Sequence, residues 1–281
     1  HVCARDALKL LSRSPIGRKL TDLDFYHAHE RVTESTVRRL SRLPKLTTLK
    51  LPFGCTRFGS FAHEVRAAAL DVTALASLET LSLIGDCLYK TLTSIRAARN
   101  LRELTLFEIH IGSFASIAAL PQLESLELQT CSFDAAQTGF GALAACSTLE
   151  SLFVDETGSI GERARCTFRC FGCALMTSLH LAAVRWRFCV DDGQALAAVT
   201  QLQSLSLSGT WLKNEDMGFF TALTRLQTLE LSSCLQLELT NAFLLHLRAL
   251  PELHTLALEI TEKASDGAAA AAKRLRKLES L

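Results

Sequence analysis

The sequence has almost no net charge and no long apolar run. Its 30 basic and 29 acidic residues leave a formal charge of +1, so no overall field favours nucleic acid or an anionic membrane. One of the longer uncharged stretches, residues 109–123, contains His110 and Pro121 and falls short of the ~18 apolar residues that a bilayer span requires. We therefore expect no membrane span, and an electrostatic signal must come from where the charges are placed.

Motifs that carry catalysis or bind a metal are also missing. The sequence contains no glycine-rich phosphate loop, no Gly-x-Ser-x-Gly nucleophile motif and no His-x-Glu or His-x-x-x-His spacing. The eight histidines are scattered along the chain. We expect no enzyme activity, no cofactor and no metal; the alternative is a catalytic group assembled from distant parts of the chain.

Cysteine is present but too dilute for a disulfide scaffold, with ten residues in 281. Cys166, Cys170 and Cys173 are spaced four and three residues apart and could converge on zinc, but no fourth ligand lies nearby. Cys170 and Cys173 stand at positions where other parts of the chain have leucine or valine, and we interpret them as small core residues. The sequence also lacks an Asn-x-Ser/Thr acceptor, and together these features favour a reducing intracellular compartment.

The sequence contains one repeated motif, Leu-x-x-Leu-x-Leu, at intervals of 22 to 32 residues. The units start at Leu20, Leu46, Leu78, Leu101, Leu123, Leu149, Met176, Leu202, Leu226, Leu253 and Leu278. Three positions after each start stands a leucine without exception. The alternation of apolar residues at the fourth and sixth positions predicts a short strand in each unit. Apolar residues three and six positions before each start predict a helix or a helical turn.

Each unit is thus predicted to contain a strand, a loop, a helix and a second loop that leads back to the next strand. From Leu20 to its end, the sequence resembles the leucine-rich-repeat family in this pattern. The resemblance implies an α/β solenoid that is curved, with a parallel β-sheet on the concave face and helices on the convex face. Because no single unit can bury its own apolar side chains, stacking the units makes one continuous core. The family's turn after the strand usually carries Asn, Cys or Thr, so Cys131 and Cys234 are interpreted as structural residues that bond to loop backbone of neighbouring units.

One domain is expected over residues 1–281. Residues 1–19 are predicted to be the helical tail of a preceding repeat or a cap, residues 20–277 to form ten repeats, and residues 278–281 to start a truncated eleventh. Since the chain begins at His1 rather than a methionine, we expect it to be a fragment of a longer protein.

The third, fifth, seventh and eighth positions of each unit are predicted to face outward from the concave sheet. In the ten units these positions hold nine acidic residues and one basic residue, Lys50, a local charge of 1 − 9 = −8. Several aromatic residues fall on the same positions, the composition of an interface anchor. The residues expected to bind a partner are Asp22, Asp24, Tyr26, Phe53, Glu103, Phe107, Glu108, Glu127, Phe153, Asp155, Glu156, Glu230 and Glu259.

These features predict a non-enzymatic protein–protein interaction scaffold. A basic protein partner is favoured, because an acidic concave face attracts cations and repels phosphates. Nucleic acid is not expected on the concave face, and the surplus basic residues on helices and loops leave RNA contact there as an alternative. A second hypothesis is the substrate-recognition arm of an F-box-type ubiquitin ligase, which cysteine-bearing repeats of about 26 residues resemble. A regulator of a small GTPase or of a ribonuclease is disfavoured because those relatives have longer, more uniform repeats.

Overall fold

The architecture is a single ten-stranded parallel sheet whose strands follow one another in chain order. The computed structural model describes residues 4–25, 39–40, 42–52, 72, 75–85, 92, 94–133, 140–155, 173–182, 190–234 and 241–259. The strands of the large sheet are β1 (Asp22–Asp24), β2 (Thr48–Pro52), β3 (Thr80–Ile84), β4 (Glu103–Phe107), β6 (Ser125–Gln129), β8 (Ser151–Asp155), β9 (Ser178–Ala182), β10 (Ser204–Leu207), β11 (Thr228–Ser232) and β12 (Thr255–Glu259). The predicted solenoid fold with a parallel sheet on its concave face is confirmed.

Short helical segments return the chain from one strand to the next. In the described part of the chain the α-helices are Ala4–Leu11, Ala115–Ala118, Val190–Ala197 and Asn241–Arg248, and the 3₁₀ helices are Gly17–Lys19, Ile95–Ala97, Phe140–Ala145 and Asn214–Ala222. The apolar spacing of three residues suits one turn of either helix type. A second, two-stranded parallel sheet pairs β5 (His110–Ile111) with β7 (Ser132–Phe133), and the sequence pattern did not predict it.

The strands pair without a shift in register, so equivalent positions of successive units lie side by side. Asp22 pairs with Thr48, Thr48 with Thr80, and the third position continues in this way to Thr255 on β12. The fifth position behaves identically, because Glu127 pairs with Phe153 and Phe153 with His180. Each column of the sequence repeat is therefore a row of side chains across the sheet.

The leucine columns form one continuous core between the sheet and the helical segments on the convex side. At the fourth position, the leucines from Leu23 to Leu229 are at most 8% exposed. Helix-side residues such as Ile95, Leu143 and Leu196 are 0% exposed and close the core from the convex side. On β12, Leu256 and Leu258 are only partly buried, because among the described residues this strand has a neighbour on one side only.

At the five eighth positions that the structure describes, the strand ends in a left-handed turn. All five described residues at this position have positive φ: Gly85 (89°), Glu108 (55°), Thr130 (49°), Gly209 (69°) and Ser233 (54°). Four of these residues donate a hydrogen bond from their backbone N–H to the carbonyl oxygen at the seventh position of the next strand, as Thr130 does to Asp155 at 2.7 Å. The left-handed conformation thus extends the ladder by one bond and turns the chain toward the convex side.

Candidate functional site

The face of the large sheet opposite the core carries the side chains at the third, fifth and seventh positions, and we call it the open face. Alternation along each strand sends these side chains away from the leucines. The unshifted register then lines them up in three parallel rows across ten strands. Each strand between β1 and β12 is held by a neighbouring strand on both sides and by the core beneath it.

The structure places most of the predicted partner-binding residues in these rows. The third row contains Asp22 and Glu103, the fifth contains Asp24, Glu127, Phe153 and Glu230, and the seventh contains Phe107, Asp155 and Glu259. Glu108 lies in the left-handed turn at the rim rather than on the strand. Tyr26, Phe53 and Glu156 lie outside the described residues.

At the β1 end of the open face the negative charge is partly neutralised. The ammonium group of Lys50 lies 3.6 Å from the carboxylate of Asp24, and both side chains are exposed. Hydrogen bonds from the hydroxyl groups of Thr21, at 2.6 Å, and of Thr48 lower the pKa of Asp22. Of these two carboxylates, Asp24 therefore already has a cationic partner.

Farther along the fifth row, two carboxylates are held in the same way. Thr105 on the preceding strand donates to Glu127 Oε2 at 3.1 Å, and Gln129 on the same strand donates to Glu127 Oε1. Glu230 repeats this pattern: Ser206 donates to its Oε2 at 3.1 Å and Ser232 to its Oε1 at 3.1 Å. Both side chains are partly buried, and each is oriented by hydrogen bonds to both of its carboxylate oxygens.

Between these two carboxylates lies an aromatic pair. The rings of Phe153 and His180 are stacked with their centroids 4.3 Å apart and their planes 2° from parallel. Burial lowers the pKa of His180, although the charges of Glu230 and Asp155 act in the opposite direction. The imidazole is therefore mostly neutral at neutral pH and does not cancel the acidic charge. We call Glu127, Phe153, His180, Ser206 and Glu230 the central row.

Sequence reasoning missed two parts of this surface. His180 was not included among the binding residues, although it occupies the fifth position of its unit, next to Phe153 in the same column, and that position was predicted to face outward. The second position of the units adds Glu79, Glu124 and Glu150 along the rim, and Arg102 forms an ion pair with Glu124. Ile84, which the column pattern places on the exposed face, is only 7% exposed.

The described cysteines have structural roles, as predicted. Cys131 Sγ donates to the carbonyl of Leu106 at 3.3 Å and Cys234 Sγ to that of Leu207 at 3.2 Å, in each case in the preceding unit. Cys173 is buried at a helix-side core position, and burial together with the neighbouring Cys146 raises its pKa to about 11. Among the described residues no group of three side chains could hold a metal ion; Cys166 and Cys170 lie outside them.

Comparison with solved structures identifies the fold. No family model and no curated protein matches the chain. The structure of the TLR13–ssRNA13 complex superimposes with a TM-score of 0.58 at 22% identity, covering 86% of this chain, which spans 33% of the TLR13 chain. Internalin C2 from Listeria monocytogenes superimposes with a TM-score of 0.51 at 16% identity, covering 91% of this chain and 92% of its own. The chain has the leucine-rich-repeat fold of these proteins.

None of the helices in the described ranges has the length and apolar character needed to cross a membrane.

Proposed function

We propose that this protein is a non-enzymatic interaction scaffold whose open face binds a basic segment of a partner protein. The observation that carries the proposal is the central row, in which Glu127 and Glu230 are both held by hydrogen bonds from the sheet. Because these side chains are already ordered, a cationic partner does not have to immobilise them on binding.

The geometry of the sheet favours a protein partner of some length. Ten strands at a spacing of about 4.8 Å span on the order of 45 Å, enough for an extended segment or a helix to lie across the rows. The general role of the leucine-rich-repeat fold as a binding surface supports this. A substrate-recognition arm of an F-box-type ubiquitin ligase would use the same face in the same way.

The negative charge of the open face favours a basic protein over a nucleic acid as the partner. TLR13 was solved with a single-stranded RNA, so RNA is the rival that must be tested. Among the described residues of the third, fifth and seventh rows, Lys50 is the only basic residue, and it is paired with Asp24. A phosphate backbone approaching this face would meet carboxylates of its own sign.

The test is to remove the two fixed charges without changing side-chain shape. In the Glu127→Gln/Glu230→Gln variant, each amide keeps one oxygen that accepts from the hydroxyl on the preceding strand, Thr105 or Ser206, so the fold should be retained. Binding of decalysine at low ionic strength, measured by isothermal titration calorimetry, should weaken about twofold to thirtyfold, since the variant removes two ion pairs that contribute roughly 0.2–1 kcal/mol each. Raising the salt concentration should weaken binding to the unaltered protein.

The matched control is Glu215→Gln/Glu252→Gln, which removes the same charge from exposed positions away from the open face. This control should bind decalysine as the unaltered protein does. Equal weakening in both double variants would show that only net charge matters and would contradict a site on the open face. Binding of a single-stranded oligonucleotide in preference to decalysine would overturn the proposal in favour of RNA.

A further inference from the structure

The aromatic pair in the central row is partly buried and lies between Glu127 and Glu230. Because the two rings stack face to face, each has one face that the other ring does not cover, and we call the pair the platform. Phe153 and His180 belong to neighbouring strands β8 and β9, and their rings are stacked at 4.3 Å. Glu127 lies on the strand next to Phe153, and Glu230 lies two strands beyond His180. At about 4.8 Å per strand, both carboxylates are within about 10 Å of the platform.

The carboxylates keep acceptor capacity for a ligand. An ionised carboxylate offers about four lone-pair sites, whereas the hydrogen bonds described above use one at each oxygen of Glu127 and of Glu230. Asp155, on the same strand as Phe153, adds a third negative charge close enough to influence His180. A cation against the uncovered face of either ring would therefore find both π-electrons and hydrogen-bond acceptors.

The shape of this platform selects among cations. A guanidinium group is planar, stacks on aromatic rings and presents several N–H donors in a rigid fork, while an ammonium group is a compact and strongly hydrated charge. An arginine can place its plane against a ring while its N–H groups reach a carboxylate, and a lysine cannot do both to the same extent.

From this geometry we propose that the Phe153–His180 stack is an arginine-binding subsite, so that the partner contributes an arginine-bearing basic segment rather than a merely cationic one. The inference rests on the proposed function and makes it specific. Glu127 and Glu230 supply the attraction that any basic segment feels, and the two rings supply the preference for guanidinium over ammonium.

The test compares decaarginine with decalysine on the unaltered protein and on two variants. The Phe153→Leu/His180→Leu variant removes both rings and leaves the carboxylates, whereas His180→Phe keeps a stacked pair and removes only the titratable group. The unaltered protein should bind decaarginine about two- to fivefold more tightly than decalysine. The double leucine variant should lose this preference and retain decalysine binding, and His180→Phe should keep the preference.

Trp211→Leu is the control, because Trp211 is an exposed aromatic residue beyond the turn after β10 and not on the open face. This variant should keep the preference of the unaltered protein for decaarginine over decalysine. Equal affinity for the two peptides on the unaltered protein, or a preference that survives in the double leucine variant, would overturn the arginine subsite while the acidic-face proposal stands. Failure of both peptides to bind the unaltered protein at low ionic strength would overturn both proposals. Circular dichroism spectra check that each variant is folded.

Discussion

At the scale of single residues, Thr130 shows how the turn at the eighth position constrains side-chain choice. Its φ of 49° lies in the left-handed region, which is unfavourable for a β-branched residue. Its Oγ1 is buried and has no hydrogen-bond partner among the described residues. Gly85 and Gly209 occupy the same turn position in other units, where glycine adopts positive φ without a steric penalty.

We therefore predict that Thr130→Gly raises the free energy of unfolding by about 1 kcal/mol. Relief of the left-handed strain, about 1–2 kcal/mol, and removal of the unpaired hydroxyl together exceed the greater entropy that glycine has in the unfolded chain, about 0.5–1 kcal/mol. Urea unfolding followed by circular dichroism measures the difference. The same substitution in an extended strand, Thr228→Gly, should lower stability by about 1 kcal/mol; if Thr130→Gly also lowers it, the turn assignment is wrong.

Individual open-face contacts were only partly predictable from the sequence. The column pattern placed Phe153 and His180 side by side, because register follows from equal spacing between the leucines. It could not predict that their rings stack, since side-chain rotamers depend on packing against residues that are distant in the sequence. Nor could it predict that Glu108 sits in a left-handed turn, because strand alternation gives no information beyond the last paired residue.

At the scale of elements, the first helix joins the solenoid through one close approach. A Cβ at Gly17 would lie 2.0 Å from the carbonyl oxygen of Leu11 and 2.8 Å from its carbonyl carbon. The helix Ala4–Leu11 ends at that carbonyl, and Leu8 is fully buried in the common core. Glycine is thus required for the helix end to pack against the start of the first repeat. The sequence predicted only that residues 1–19 are a helical tail of a preceding repeat or a cap.

We predict that Gly17→Ala lowers the free energy of unfolding by about 1–3 kcal/mol, because backbone must move to admit the methyl group. The matched control is Gly218→Ala in the 3₁₀ helix Asn214–Ala222, where an added Cβ would meet nothing within 4 Å. That substitution should change stability by less than about 0.5 kcal/mol. Thermal unfolding of both variants under the same conditions gives the comparison, and equal effects would contradict the packing of helix Ala4–Leu11 on the first repeat.

At the scale of the whole molecule, the ten-stranded sheet was the most predictable feature. Each repeat contributes leucines at the same positions to the core, so ten units independently predict one strand each. A wrong assignment in one unit would not change the prediction for the others. The helix type on the convex side was less predictable, because the apolar spacing of three residues is compatible with α and 3₁₀ geometry alike. The small sheet of β5 and β7 left no alternating pattern, because each of its strands has two residues.

The unshifted register is the central claim, because it alone turns the columns of the sequence into rows on one surface. The structure pairs Ser151 with Ser178 on adjacent strands, and Ser125 with Ser151 on the strand before. Adjacent parallel strands lie about 4.8 Å apart and alternate ones about 9.6 Å apart, while a disulfide requires Cα atoms within about 7 Å.

The most direct measurement is therefore oxidative cross-linking of two double-cysteine variants, mapped by peptide mass spectrometry. Ser151→Cys/Ser178→Cys should form the new disulfide readily, and Ser125→Cys/Ser178→Cys should not. A cross-link in the second variant, or none in the first, would contradict the register and with it the acidic open face.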